Sequence, residues 1–101
     1  GNIITFGNRF SCNIKLGDFN LINGCCSFGH DVVIGSFNVL QPEVRVSGSV
    51  TIGDTNFFGA RSFLLQQIKI GNNTKIGAMS LVVRKTKDNE SYFGSPAKRI
   101  K

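Results

Sequence analysis

A six-residue period runs through most of this chain and restricts its fold more than any other feature. Since roughly half of the residues in an ordinary domain are apolar, an uninterrupted series of fourteen apolar matches is expected by chance about once in ten thousand registers. The series is Ile4, Phe10, Leu16, Ile22, Phe28, Ile34, Leu40, Val46, Ile52, Phe58, Leu64, Ile70, Ile76 and Val82. Such a repeat indicates a solenoid, in which each unit buries its apolar side against its neighbours.

Three hexads together form a longer repeat of eighteen residues. In a coil of three short strands, each residue stacks on the one eighteen positions later, at a strand spacing of about 4.8 Å. Two columns of identical residues result: Gly17, Gly35, Gly53 and Gly71 in one, and Asn2, Asn20, Asn38 and Asn56 in the other. We expect the glycines to serve a turn that is tight or has a positive φ. We expect the asparagines to bond one another along the stack.

The repeat predicts an all-β fold, a parallel β-helix of about five triangular coils with the first and fifth residues of each hexad facing inward. The β-helix covers residues 1–87, and residues 88–101 form a C-terminal capping tail. Tyr92 and Phe93 in this tail are predicted to cover the last coil. The chain of 101 residues has room for one domain.

The charge of the chain favours an anionic partner. The net charge is +6, and half of the twelve basic residues lie in the last eighteen positions. No recognition helix or aromatic stacking motif accompanies them, so we predict a phosphorylated cofactor rather than a nucleic acid as the partner. No apolar run approaches the length of a membrane span. The three cysteines have no metal-type spacing and are interpreted as reduced thiols of a cytoplasmic protein.

Four motifs add a family resemblance to the hexads: His30-Asp31 before Ile34-Gly35, Ile52-Gly53, Ile76-Gly77-Ala78, and the terminal Gly94-Ser95-Pro96-Ala97-Lys98. Together they resemble the left-handed β-helix (hexapeptide-repeat) acyltransferases, in particular the sialic acid O-acetyltransferases and the bacillosamine-pathway N-acetyltransferases. The resemblance implies a left-handed coil, acetyl-CoA as cosubstrate, a sugar or nucleotide-sugar acceptor, and a homotrimer with active sites between subunits. Members of this branch usually carry a sugar-nucleotide-binding domain before the β-helix, so we expect one upstream of Gly1.

Three residues form the predicted catalytic centre. His30 is third in its hexad and faces outward, and the resemblance assigns it the role of general base. Asp31 is the candidate to orient the imidazole; alternatively it is a solvated strand residue, since adjacent strand residues point apart. Gly48 lies one coil beyond His30, and the resemblance assigns the matching glycine to the acetyl carbonyl. Its alternative role is that of a turn glycine.

The remaining candidates concern the cofactor and the acceptor. Ala60 and Ala78 belong to an outward column of small residues that suits either the extended arm of the cofactor or tight subunit packing. Asn23 matches a family asparagine and is assigned to the acceptor sugar or, alternatively, to a turn. The predicted partners of the cofactor's phosphates are basic residues near the C-terminus: Arg84, Lys98 and Arg99.

Two function classes follow. The first is an acetyl-CoA-dependent sugar O- or N-acetyltransferase, and the second is a non-catalytic β-helix that serves as a trimerisation or scaffold module. A metal-dependent hydratase on the same solenoid needs three histidine ligands, whereas this chain has one histidine. No metal is therefore predicted. The sequence leaves open the acceptor sugar, the acceptor atom and the length of the acyl group.

Overall fold

The computed structural model describes residues 1–101 and consists of β-strands and turns. Fourteen strands of two residues each are followed by two longer strands. Their bounds are β1 Ile3–Ile4, β2 Arg9–Phe10, β3 Lys15–Leu16, β4 Leu21–Ile22, β5 Ser27–Phe28, β6 Val33–Ile34, β7 Val39–Leu40, β8 Arg45–Val46, β9 Thr51–Ile52, β10 Phe57–Phe58, β11 Phe63–Leu64, β12 Lys69–Ile70, β13 Lys75–Ile76, β14 Leu81–Val82, β15 Ser91–Gly94 and β16 Ala97–Arg99. The structure has no helix that could cross a membrane.

The strands form the three sides of a triangular prism. The first sheet has the order β1-β4-β7-β10-β13-β15-β16, the second runs from β2 through β5, β8 and β11 to β14, and the third contains β3, β6, β9 and β12. From β1 to β11, each strand pairs in parallel with the strand three places later, so that Ile22 aligns with Leu40. The predicted offset of eighteen residues and the predicted coil of three strands are confirmed.

The core is a single apolar column inside the prism. First-position residues from Ile22 to Val82 are buried, whereas those of the first coil, Ile4 and Phe10, are 44% and 38% exposed. Most fifth-position side chains are also buried: Cys26, Val32, Val44, Val50, Ser62, Thr74 and Ser80. Small or β-branched residues suit this second inward position because the interior of the prism is narrow.

The turns use the fourth residue of the hexad. This residue has a positive φ between 53° and 65° in twelve successive hexads, from Asn13 to Met79. The glycine column does not have positive φ. Instead, a β-carbon on Gly35 would lie 2.6 Å from the Gly53 carbonyl oxygen. Positive φ is therefore not the reason for these glycines; they are needed because the backbones of successive coils pack closely at this corner.

The asparagine column lies inside the prism and ties successive coils together. Asn38 Nδ2 donates to the Gly53 carbonyl at 2.9 Å, and its Oδ1 accepts the Asn56 backbone N–H at 2.9 Å. Most hydrogen bonds along this column thus join a side chain to the backbone. One bond joins two asparagine side chains, from Asn20 Nδ2 to Asn2 Oδ1 at 3.0 Å. The glycine and asparagine columns are two halves of one hydrogen-bonded corner.

The tail forms a hairpin on the first sheet. β15 pairs in parallel with β13, and β16 returns antiparallel to β15. Tyr92 aligns with Ile76 and packs against the core, as predicted. Phe93 packs on Gly77 of the last coil, also as predicted, and its outer side leaves the residue 56% exposed.

Candidate active site

His30 and Asp31 lie on the corner of the prism that joins the second sheet to the third. They occupy the turn between β5 and β6, and Asp31 has a φ of 57°. The alternation of strand residues therefore does not apply to them, and both side chains point to the same place. His30 Nδ1 lies 3.0 Å from Asp31 Oδ2, and the two side chains are 61% and 51% exposed.

Asn13 completes this arrangement from the preceding coil. Its Nδ2 donates a hydrogen bond to Asp31 Oδ1, the carboxylate oxygen that does not face His30. The bond from Asn13 and, next, the bond with His30 hold the pKa of Asp31 below its usual range. Asn13 was missed in the sequence analysis, although its offset of eighteen residues from Asp31 was the signal that could have identified it.

Gly48 lies directly against the imidazole. A β-carbon at this position would be 2.7 Å from His30 Nε2 and 2.9 Å from Cε1. Gly48 does not have a positive φ, so the turn itself does not require glycine here. Its backbone N–H has no acceptor within the chain. The absence of a side chain thus places the Nε2 edge of the ring beside a free backbone donor.

This geometry defines what the corner can do chemically. A carboxylate only accepts hydrogen bonds, so Asp31 favours the tautomer of His30 with its proton on Nδ1. Nε2 then carries a lone pair on the edge of the ring beside Gly48, in a side chain that is 61% exposed. A proton acceptor and an N–H donor side by side can deprotonate one group while stabilising negative charge on its neighbour.

Basic residues gather at the C-terminal end of the same corner. Arg84 continues the column of His30 and Gly48 and lies two coils beyond Gly48. A cleft of about 390 Å³ brings it together with Lys85, Lys98 and Arg99. Arg99 also donates to Glu90 at 3.1 Å. The predicted phosphate ligands Arg84, Lys98 and Arg99 therefore line one cleft.

The other candidates lie on a different corner, between the first and second sheets. Asn23 Nδ2 donates to Gln41 Oε1 at 3.3 Å. The backbone N–H groups of Ala60 and Ala78 have no acceptor within the chain. One side of the prism separates this corner from His30, so a single chain does not bring the two sets of residues together.

The thiols and carboxylates give no alternative centre. Cys26 is buried, and burial raises the pKa of its thiol. Cys12 and Cys25 are exposed and unpaired. No group of three or more histidine, cysteine, aspartate or glutamate side chains is placed to hold a metal ion.

Comparison with solved structures identifies the fold, whereas no protein-family model and no curated protein matches the sequence. Serine acetyltransferase from Neisseria gonorrhoeae has a TM-score of 0.88 at 29% identity, over 95% of this chain and 41% of that one. A hexapeptide-repeat-containing acetyltransferase from Vibrio cholerae, solved with acetyl coenzyme A, has a TM-score of 0.93 at 16% identity, over 99% of this chain and 67% of that one. The chain has the fold of the hexapeptide-repeat acetyltransferases.

A third structure extends this likeness to a protein solved with a nucleotide-sugar. PerB from Caulobacter crescentus, in complex with CoA and GDP-perosamine, has a TM-score of 0.73 at 22% identity, over 97% of this chain and 56% of that one. Superposition at these levels requires the same hand of coil, which the sequence resemblance gives as left-handed. The chain spans about half the length of the gonococcal enzyme and of PerB.

Proposed function

We propose that this chain is the β-helix of an acetyl-CoA-dependent acetyltransferase that acts on a hydroxyl or amino group of a sugar or nucleotide-sugar. The observation that carries this proposal is the position of His30, whose Nδ1 faces Asp31 while its Nε2 faces Gly48. A buried ion pair or a core histidine would not leave the ring exposed beside a backbone N–H without an acceptor. The CoA complexes of similar structures support the choice of acyl donor.

In this mechanism each residue of the corner has one task. His30 Nε2 accepts a proton from the acceptor hydroxyl or neutral amino group as the oxygen or nitrogen atom attacks the thioester carbonyl. The Gly48 N–H donates to the oxyanion of the tetrahedral intermediate. Asp31 stabilises the imidazolium, and Asn13 holds the carboxylate in place. Collapse of the intermediate breaks the carbon–sulfur bond, and His30 returns its proton to the leaving thiolate.

The cofactor is proposed to run along the His30 corner towards the C-terminus. With its thioester at Gly48, the phosphate-bearing end would reach the cleft of Arg84, Lys98 and Arg99 two coils away, about 10 Å along the prism at the strand spacing. Guanidinium and ammonium groups there would neutralise the phosphates.

The site is proposed to be shared between copies in a homotrimer. Ala60, Ala78 and Asn23 lie on a corner that cannot meet His30 of the same chain, so their roles towards cofactor and acceptor require the corner of a neighbouring copy. Exposed aromatic side chains, such as the stacked pair Phe19 and Phe37, provide apolar surface to bury between copies. An upstream sugar-nucleotide-binding domain would supply the remaining contacts to the acceptor.

The test is acetyl-CoA binding measured by calorimetry, followed by release of free thiol in the presence of a panel of amino sugars, neutral sugars and their nucleotide derivatives. Binding together with acceptor-dependent thiol release is the expected result. A scaffold module would give neither. Sedimentation velocity at micromolar concentration checks the assembly, and a stable monomer would contradict the shared site.

A further inference from the structure

A second basic cleft lies on the outer face of the second sheet, away from the C-terminal end. Strands β2, β5 and β8 are neighbours there, and Arg9 aligns with Ser27, which aligns with Arg45. A cleft of about 400 Å³ opens at this point, and its lining residues are Arg9, Cys25, Ser27, Glu43, Arg45 and Arg61. We call it the arginine cleft.

Two of the three arginines in the arginine cleft are without a counter-charge. Arg61 Nε lies 3.1 Å from Glu43 Oε1, which neutralises that pair. Arg9 and Arg45 take part in none of the ion pairs of the chain. They sit two strands apart, about 10 Å between backbones. Ser27, a short side chain, is the only residue between them in the column.

This arrangement selects a particular anion chemistry. A planar carboxylate is satisfied by one guanidinium fork, whereas a phosphate presents oxygens on several sides and can accept from two forks at once. Arg9 and Arg45 lie on the two strands that flank Ser27, and all three residues line the cleft. The Ser27 hydroxyl adds a third donor between them.

We propose that the arginine cleft binds a phosphate or diphosphate group through Arg9, Arg45 and Ser27. Ser27 precedes His30 by three residues, so their backbones are at most about 10 Å apart. We assign this phosphate group to the acceptor, an assignment that rests on the proposed acetyl transfer. A phosphate held in the arginine cleft would place the rest of a phosphorylated or nucleotide-linked sugar within reach of His30 Nε2.

The test uses inorganic pyrophosphate as the probe and calorimetry as the measurement. On a background of Lys98→Ala with Arg99→Ala, which weakens the cleft near the C-terminus as a second pyrophosphate site, the double variant Arg9→Ala with Arg45→Ala should weaken pyrophosphate binding at least tenfold. The matched control is Lys15→Ala with Lys69→Ala, which removes two charges from exposed sixth positions of hexads on the third sheet. This control should retain the affinity. Absence of binding to the wild type at millimolar concentration, or equal weakening in both double variants, would overturn the site.

A second measurement separates the acceptor from the cofactor as the source of the phosphate. The Arg9 and Arg45 double variant should bind CoA as the wild type does, because the cofactor's phosphates are assigned to the cleft of Arg84, Lys98 and Arg99. If the double variant lost CoA affinity, the assignment to the acceptor would be wrong. Neither measurement uses turnover, so a failure of the proposed acetyl transfer is detected separately by thiol release. Arg45→Lys keeps the charge but not the fork, and should bind pyrophosphate with intermediate affinity.

Discussion

Replacing Gly48 with alanine should separate catalysis from folding. The added β-carbon would lie 2.7 Å from His30 Nε2, whereas carbon contacts are most favourable at about 3.5 Å or more. The imidazole must therefore move by roughly 0.8 Å or rotate off the corner. Because Gly48 does not have a positive φ and the clash falls on the tip of an exposed side chain, the fold can absorb the change.

Misplacement of a reacting group by about 1 Å costs roughly a hundredfold in rate, which corresponds to about 2.7 kcal/mol of transition-state stabilisation. Gly48→Ala should lower acetyl transfer by that factor while its unfolding free energy changes by less than about 1 kcal/mol. Acceptor-dependent thiol release and thermal unfolding measure the two effects. The matched control is Gly24→Ala, at the same hexad position on another corner, where a β-carbon would be at an ordinary 3.4 Å from Phe6 O. Near-normal turnover of Gly48→Ala would refute the argument that glycine is needed at this position because it lies against the His30 imidazole.

Two further predictions concern charges at the site. Asn13→Gly removes the side-chain amide, and glycine tolerates the positive φ at this position, so the pKa of Asp31 should rise towards its usual value. The wild type should therefore be more stable than the variant at pH 7. This difference in stability should shrink as the pH falls below about 4 and through the pKa of Asp31 in the folded wild type. Thermal unfolding across pH and carboxyl NMR titration measure it, and a difference independent of pH would contradict the role of the bond. Lys98→Ala with Arg99→Ala should weaken CoA binding and flatten its salt dependence. Calorimetry at two salt concentrations checks this. Unchanged CoA binding would mean that the basic residues of this cleft face solvent and do not bind the cofactor.

Most of the fold could be predicted because three hexads correspond to one coil of the β-helix. Once Ile22 and Leu40 are known to be eighteen residues apart in equivalent hexads, their alignment in one sheet follows. The reason for the glycine column could not be decided in this way. Close packing of two backbones and a positive φ both favour glycine. The structure shows that the left-handed backbone conformation lies at the fourth position of the hexad and not at the glycine column.

The site was predictable to the extent that it follows the same register. The proximity of Gly48 to His30 came from counting eighteen residues, and the structure places them in contact. The contact between His30 and Asp31 could not be decided from strand alternation, because the positive φ of Asp31 redirects its side chain. The bond from Asn13 and the arginine cleft depend on side-chain conformations, which a repeat does not specify.

The most direct test of the central claim is the acetyl-transfer rate of His30→Ala, measured beside its CoA affinity and sedimentation coefficient. His30 is exposed on a corner and contributes no core contact, so assembly and cofactor binding should match the wild type. Turnover should fall by roughly a hundredfold or more, the usual consequence of losing a general base. Asp31→Asn should lower turnover less, since the imidazole remains. Near-full acetyl transfer by His30→Ala would contradict the account, because another group would then have to accept the proton.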